Sequence, residues 1–144
     1  MAHEQLRDLL QACRAGGTPA QVVADWLGSH QDVASAELKR NAYLKLRHGD
    51  PVPAFLDYLP ACLACSQVHR SGEFLDYPDF ERCDDQVKKA EAAGVLAYID
   101  QPAWYKVPAG VLGGESFYAC ATCAAIWKIT LPERAQKGGW YRAG

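Results

Sequence analysis

The chain carries two short cysteine pairs, Cys62-Leu63-Ala64-Cys65 and Cys120-Ala121-Thr122-Cys123, separated by 54 residues. A two-residue spacer lets a tight turn aim both sulfurs of a pair at one ion. Four thiolates then close a tetrahedron around zinc, which has no redox chemistry and no directional d-electron preference. Cys62, Cys65, Cys120 and Cys123 are therefore expected to make one site, each pair supplying half. Such a site closes the segment between residues 62 and 123 with a bond rather than with a large core. His69, four residues past Cys65, and Cys83 are the expected substitutes if one of the four points away. With four sulfurs and no open position, the zinc would be structural and would activate no water.

The other uses of six cysteines are disfavoured by their setting. A secreted chain would pair them as disulfides, but Met1-Ala2-His3-Glu4-Gln5-Leu6-Arg7-Asp8 has no basic region followed by an apolar one. Nor does any stretch approach the roughly 18 consecutive apolar residues of a membrane span. The expectation is a cytoplasmic protein with metal thiolates and no membrane association. With 49% apolar and 22% charged residues, its 144 residues fit one globular unit or two parts sharing an interface. A formal charge of -2 argues against a general affinity for nucleic acid or anionic lipid, leaving only a local basic patch open.

Residues 1–60 read as a small helical bundle. Leu6, Leu9, Leu10 and Cys13 make one helical stripe that Gly16-Gly17 ends, and on that stripe Cys13 is a small core residue. Thr18-Pro19-Ala20-Gln21 reads as a capping box before a second helix that buries Val22, Val23, Trp26 and Leu27. Ser29 is expected to cap a third helix from about 30 to 47, with Val33, Ala34, Leu38, Ala42 and Leu46 inward. Its other face carries Lys39, Arg40, Lys45, Arg47 and His48, cations that suit a helix C-terminus and water. Asp50-Pro51 then starts a fourth helix with Val52, Phe55, Leu56 and Leu59, which Pro60 ends.

Residues 61–144 are expected to form a mixed part built on the metal. Residues 66–85 are polar and acidic, with Phe74, Tyr77 and Phe80 among Asp76, Asp79 and other acids. That mixture fits a solvated loop or a surface for a basic partner, and the sequence leaves both open. A helix is expected over 82–93, stopped by Gly94. Strands are expected at 95–99, 104–107, 115–119 and 125–131, where the period changes to two, with the second cysteine pair in the turn between the last two. Trp140 and Tyr141 in the basic tail are expected to tuck back onto the sheet rather than stack on bases. The fold class is α+β, an N-terminal helical bundle followed by an antiparallel ribbon-like part.

Enzyme signatures are thin. There is no His-x-Glu to accompany a cysteine pair as in a zinc deaminase, neither pair opens a helix in an alternating strand-helix pattern, and no nucleophile elbow occurs. The segment from about 95 to 131 resembles the zinc-ribbon class, whose usual knuckle is Cys-Pro-x-Cys-Gly. Here both knuckles, Ala61-Cys62-Leu63-Ala64-Cys65-Ser66 and Ala119-Cys120-Ala121-Thr122-Cys123-Ala124, lack the proline and the glycine. The whole, with its helical start, acidic insertion and ribbon-like end, resembles in type the small bacterial immunity proteins that neutralise a secreted toxin. That resemblance implies a non-enzymatic protein that covers a protein partner, with Phe74, Asp76, Tyr77, Asp79 and Phe80 as contacts. The alternatives are a nucleic-acid-binding ribbon using Lys128, Arg134, Lys137, Trp140 and Arg142, or a scaffold subunit of a larger complex.

Overall fold

The computed structural model describes residues 2–144, with side chains from Glu4 onward. The described residues form seven helices and one five-stranded antiparallel sheet, an α+β fold divided into two compact units. One unit holds the described residues up to Pro60, with Pro102–Tyr105 and Gly144; the other holds Ala61–Gln101 and Lys106–Ala143.

The helical unit comprises α1 (Ala2–Arg14), α2 (Ala20–Ser29), α3 (Gln31–Glu37), α4 (Arg40–Arg47) and α5 (Val52–Tyr58). Its core is the apolar stripe read from the periodicity: Leu6, Leu10, Cys13, Val23, Leu27, Ala34, Leu38, Ala42, Leu46 and Phe55. Gly16 takes φ +91° after α1, and the amides of Gly17 and Thr18 fold back onto Ala12 O. The capping expectations are corrected. Pro19, not Thr18, is the N-cap of α2, and His30 rather than Ser29 precedes α3, neither with a side-chain cap. His30 instead stacks on Trp26, with ring centroids 4.2 Å apart, and its Nδ1 meets Trp26 O at 3.0 Å. Val22, expected inside, is exposed.

The single helix expected over 30–47 is two helices. Leu38 turns extended (φ -102°, ψ 143°), which keeps its side chain in the core while the helix axis changes direction. The Lys39 amide, set free by that break, donates to Asp57 Oδ2 at 2.9 Å, and the Lys39 ammonium pairs with the same carboxylate at 3.5 Å. Residues 104–107, expected as a strand, are not one. Trp104 packs edge-on against Phe55 at 5.1 Å and its indole N–H donates to Arg14 O at 3.0 Å. An aromatic run that satisfied the period-two rule is thus spent on filling a helical core.

The second unit comprises α6 (Leu63–Ser66), β1 (Gly72–Glu73), α7 (Tyr77–Ala92), β2 (Leu96–Ile99), β3 (Glu115–Cys120), β4 (Ile126–Thr130) and β5 (Gly139–Arg142). The sheet order is β1-β5-β4-β3-β2. One sheet face, with Trp127, Ile129 and Trp140, packs with Cys83, Val87 and Ala90 of α7 and with Phe74. Trp127 and Trp140 stack 5.5 Å apart with planes 7° from parallel, so the tail tucks in as β5. Its turn needs Gly138: at φ +71° a Cβ there would sit 2.1 Å from Thr130 O. The helix expected from 82 begins instead at Tyr77. Asp76 caps it, accepting from Asp79 N at 2.8 Å, with Pro78 in the first turn, so half of the expected acidic loop is helix.

Candidate metal centre

The two knuckles are built differently. Cys62 stands at the N-cap of the one-turn helix α6 and Cys65 lies inside that turn. Cys120 ends β3, and Cys123 lies in the turn to β4, which closes through Ala124 at φ +64° and the Ala124 N to Cys120 O bond of 3.0 Å. The Ala121 amide donates to Val95 O at 3.0 Å, fixing this turn against the segment that follows α7.

All four sulfurs lie within 4.8 Å of one another. The Sγ separations are 3.8 Å for Cys62–Cys65, 3.6 Å for Cys62–Cys120 and 3.7 Å for Cys65–Cys123. A tetrahedron with metal–sulfur bonds of about 2.3 Å has sulfur–sulfur edges of about 3.8 Å. A disulfide would require about 2.05 Å, and all six cysteines are free. These three edges match that spacing, and the four sulfurs together could hold one metal ion.

Main-chain amides already point at these sulfurs. Cys62 N–H reaches Cys123 Sγ at 3.3 Å and Thr122 N–H reaches Cys120 Sγ at 3.4 Å. The Cys65 amide, followed by smaller effects, brings the Cys62 thiol down to about 7. Cys65 is wholly buried, and desolvation pushes its thiol up to about 12. A divalent cation bound to the four sulfurs would ionise the thiols together. Arg142, opposite Trp127 in the β4–β5 register, places positive charge beside Cys123 and Cys65, while burial lowers its own pKa.

Neither expected substitute joins the cluster. His69 engages Asp79 Oδ1 through Nε2 at 3.0 Å and Gln86 Oε1 through Nδ1 at 2.6 Å. Cys83 lies on the buried face of α7, its thiol pushed up to about 12 first by desolvation and then by Asp79 and Asp84. Asp79 is a buried hub that the sequence placed on the surface. It accepts from Leu75 N at 2.9 Å and from Arg70 Nη2 at 3.0 Å, and the Leu75 amide is the largest cause holding its carboxyl below the usual range.

The expected partner contacts divide accordingly. Phe74 and Asp79 are interior, and Phe80 is half-buried edge-on to Phe74 at 5.6 Å. Asp76 is exposed and caps α7, and Tyr77 is 60% exposed. Leu75, which the sequence reading passed over, is 65% exposed beside them. Of the alternative basic set, Trp140 is wholly buried, and Lys128 pairs with Glu115 Oε2 at 3.0 Å while lying over the Tyr141 ring. Arg134 and Lys137 are exposed on the turn before β5. No described helix is long and apolar enough to cross a membrane. No protein-family model, curated protein or solved structure matches the chain.

Proposed function

We propose that this chain is a non-enzymatic, zinc-stabilised protein-binding module. The observation that carries the metal half is the convergence of four sulfurs within 4.8 Å of one another, three of their separations lying within about 0.2 Å of a zinc tetrathiolate edge. Cys62, Cys65, Cys120 and Cys123 would fill all four positions, leaving none for water or substrate, so the ion would hold the fold and catalyse nothing. The partner half rests on Leu75 and Tyr77, two exposed side chains that flank Asp76, the N-cap of α7, with the exposed acids Asp76 and Glu81 close in sequence. Exposed apolar side chains beside acids suit a protein surface that offers basic groups. The narrower form of this reading is a bacterial immunity protein that neutralises a cognate toxin by occlusion.

Native mass spectrometry on protein captured from its source cells tests both halves. One zinc per chain and one stoichiometric protein partner is the expected result. The partner should be lost from Leu75→Asp and Tyr77→Asp but kept by Val22→Asp on α2. Absence of metal from the folded protein overturns the first half, and retention of the partner by both the Leu75 and Tyr77 variants overturns the second.

A further inference from the structure

The sheet face turned away from α7 carries a cleft of about 710 Å³, and every residue lining it belongs to the second unit. Side chains alternate along a strand. With Trp127, Ile129 and Trp140 packed toward α7, Lys128, Thr130 and Tyr141 therefore stand on the opposite face. The register sets Lys128 opposite Tyr141 and Thr130 opposite Glu115, so Glu115 shares that face. Lys128, Thr130 and Tyr141 make the floor of the cleft. One wall is the segment from Pro108 to Val111, and the other is the turn from Ala135 to Gly138. Gln136 bridges the walls: its Oε1 accepts from Leu112 N at 2.8 Å and its Nε2 donates to Gly110 O. The cleft is thus formed in advance by its own hydrogen bonds, with a volume inside the range of small-molecule sites, about 300–1,000 Å³.

The floor is polarised. Lys128 Nζ pairs with Glu115 Oε2 at 3.0 Å, and the two side chains are 12% and 5% exposed. Thr130 Oγ1 donates to the same Glu115 oxygen at 2.7 Å. Lys128 lines the cleft and Glu115 does not, so the pair shows the cleft its positive end and keeps its negative end behind. The same ammonium lies 5.6 Å from the centre of the Tyr141 ring. A second cation, Lys137, stands exposed on the turn, and the carboxylate among the lining residues is the exposed Glu73. Arg142 borders the cleft too, but its register position opposite Trp127 puts its side chain on the α7 face, beside the cysteines. A cation drawn back from bulk water is screened less by salt than one on the surface. On a chain with a formal charge of -2, this concavity favours a negative group.

We infer that this cleft binds a small organic anion, with a carboxylate or phosphate group set between Lys128 and Lys137 and a flat apolar body lying along Tyr141 and the Pro108–Val111 wall. The two cations fix the class of the head group. The lining between them, Tyr141 with Pro108, Ala109 and Val111, fixes the character of the body. Glu73 opposes a second anionic group, so a single charged head suits the cleft and a polyanion does not. The site shares no residue with the four cysteines or with Leu75 and Tyr77, so it is a function separate from metal and partner binding.

The test titrates the full chain with phenyl phosphate and with benzoate, which share a flat ring and differ in the anion, and follows the Gly110 amide and the Tyr141 ring by NMR. At least one probe should shift both signals, and the tighter of the two identifies the head group as phosphate or carboxylate. Benzyl alcohol, the same ring without the charge, should bind at least about tenfold more weakly, the ordinary loss of a charge-assisted contact. Glu115→Gln can still accept from Thr130 but uncovers the ammonium, so it should tighten the anion by about threefold or more, a gain that structural damage does not produce. Adding Lys128→Met to that variant leaves neither charge of the pair behind and should abolish the shifts. Lys137→Gln, at an exposed position, should weaken binding about two- to fivefold. No shift from either anion overturns the proposal. So does inorganic phosphate binding as tightly as phenyl phosphate, which would mean an adventitious ion only, or affinity unchanged by both lysine substitutions.

Discussion

Stripping the metal should cost the second unit most of its stability. If zinc bridges Cys62 and Cys120, it closes a loop of about 58 residues, and a cross-link of that span removes about 4 kcal/mol of unfolded-chain entropy at 25 °C. Set against typical domain stabilities of about 5–15 kcal/mol, that loss leaves a marginal fold. With a urea slope of about 1–2 kcal/mol/M for a unit of this size, the midpoint should fall by about 2–4 M. The assay is a urea melt with and without chelator, followed by amide exchange at Val87 and Ile129, with Leu10 and Leu27 as reporters of the helical unit. Those helical positions sit in an aliphatic core of their own and should keep their protection. Cys120→Ser should reproduce the chelated midpoint, and chelator should then shift it no further. A midpoint that moves by less than about 0.5 M urea, with metal analysis proving the zinc gone, would refute the argument that the bond replaces a core.

Two more outcomes follow from the second unit's interior. Trp140→Ala should cost about 3–5 kcal/mol, because a wholly buried indole stacked on Trp127 leaves a cavity no neighbour can fill; a loss below about 1 kcal/mol in the same melt would return the tail to solvent. The folded Asp79 carboxyl lies below its unfolded value of about 3.9, so its contribution is complete above that pH and lost as pH falls through the folded value. Asp79→Asn should therefore flatten the acid limb of a stability profile taken from pH 5 to pH 2, and an unchanged limb would remove Asp79 from the account.

What the sequence made legible was whatever depends on spacing along the chain. The C-x2-C pairs announced four convergent sulfurs, and the Leu6, Leu10, Leu27 and Leu46 stripes announced a helical core. Where the reading failed, the deciding partner lay far away in sequence. Nothing near Leu38 says that Asp57 will take the Lys39 amide and let one helix become two. Likewise, nothing near Asp79 says that Arg70 and the Leu75 amide will draw it inward from an acidic stretch. The start of α7 was a different kind of miss, since Asp76-Tyr77-Pro78 is a local cap-and-proline signal that the density of acids concealed.

The same distinction explains why the site's donors matter more than its ligand list. Ligand spacing is local and easily read, but it does not decide whether a buried tetrathiolate is tolerable. That depends on which N–H groups and cations surround the sulfurs, and here the Cys62 and Thr122 amides come from the knuckles while Arg142 of β5 adds positive charge beside Cys123 and Cys65. The departure from the Cys-Pro-x-Cys-Gly knuckle becomes intelligible in those terms. With Cys65 wound into a helical turn, the three amides that follow it are taken by carbonyls of that turn. Spacing along the chain therefore names the ligands, while the donors and charges that make the set tolerable are fixed by the fold.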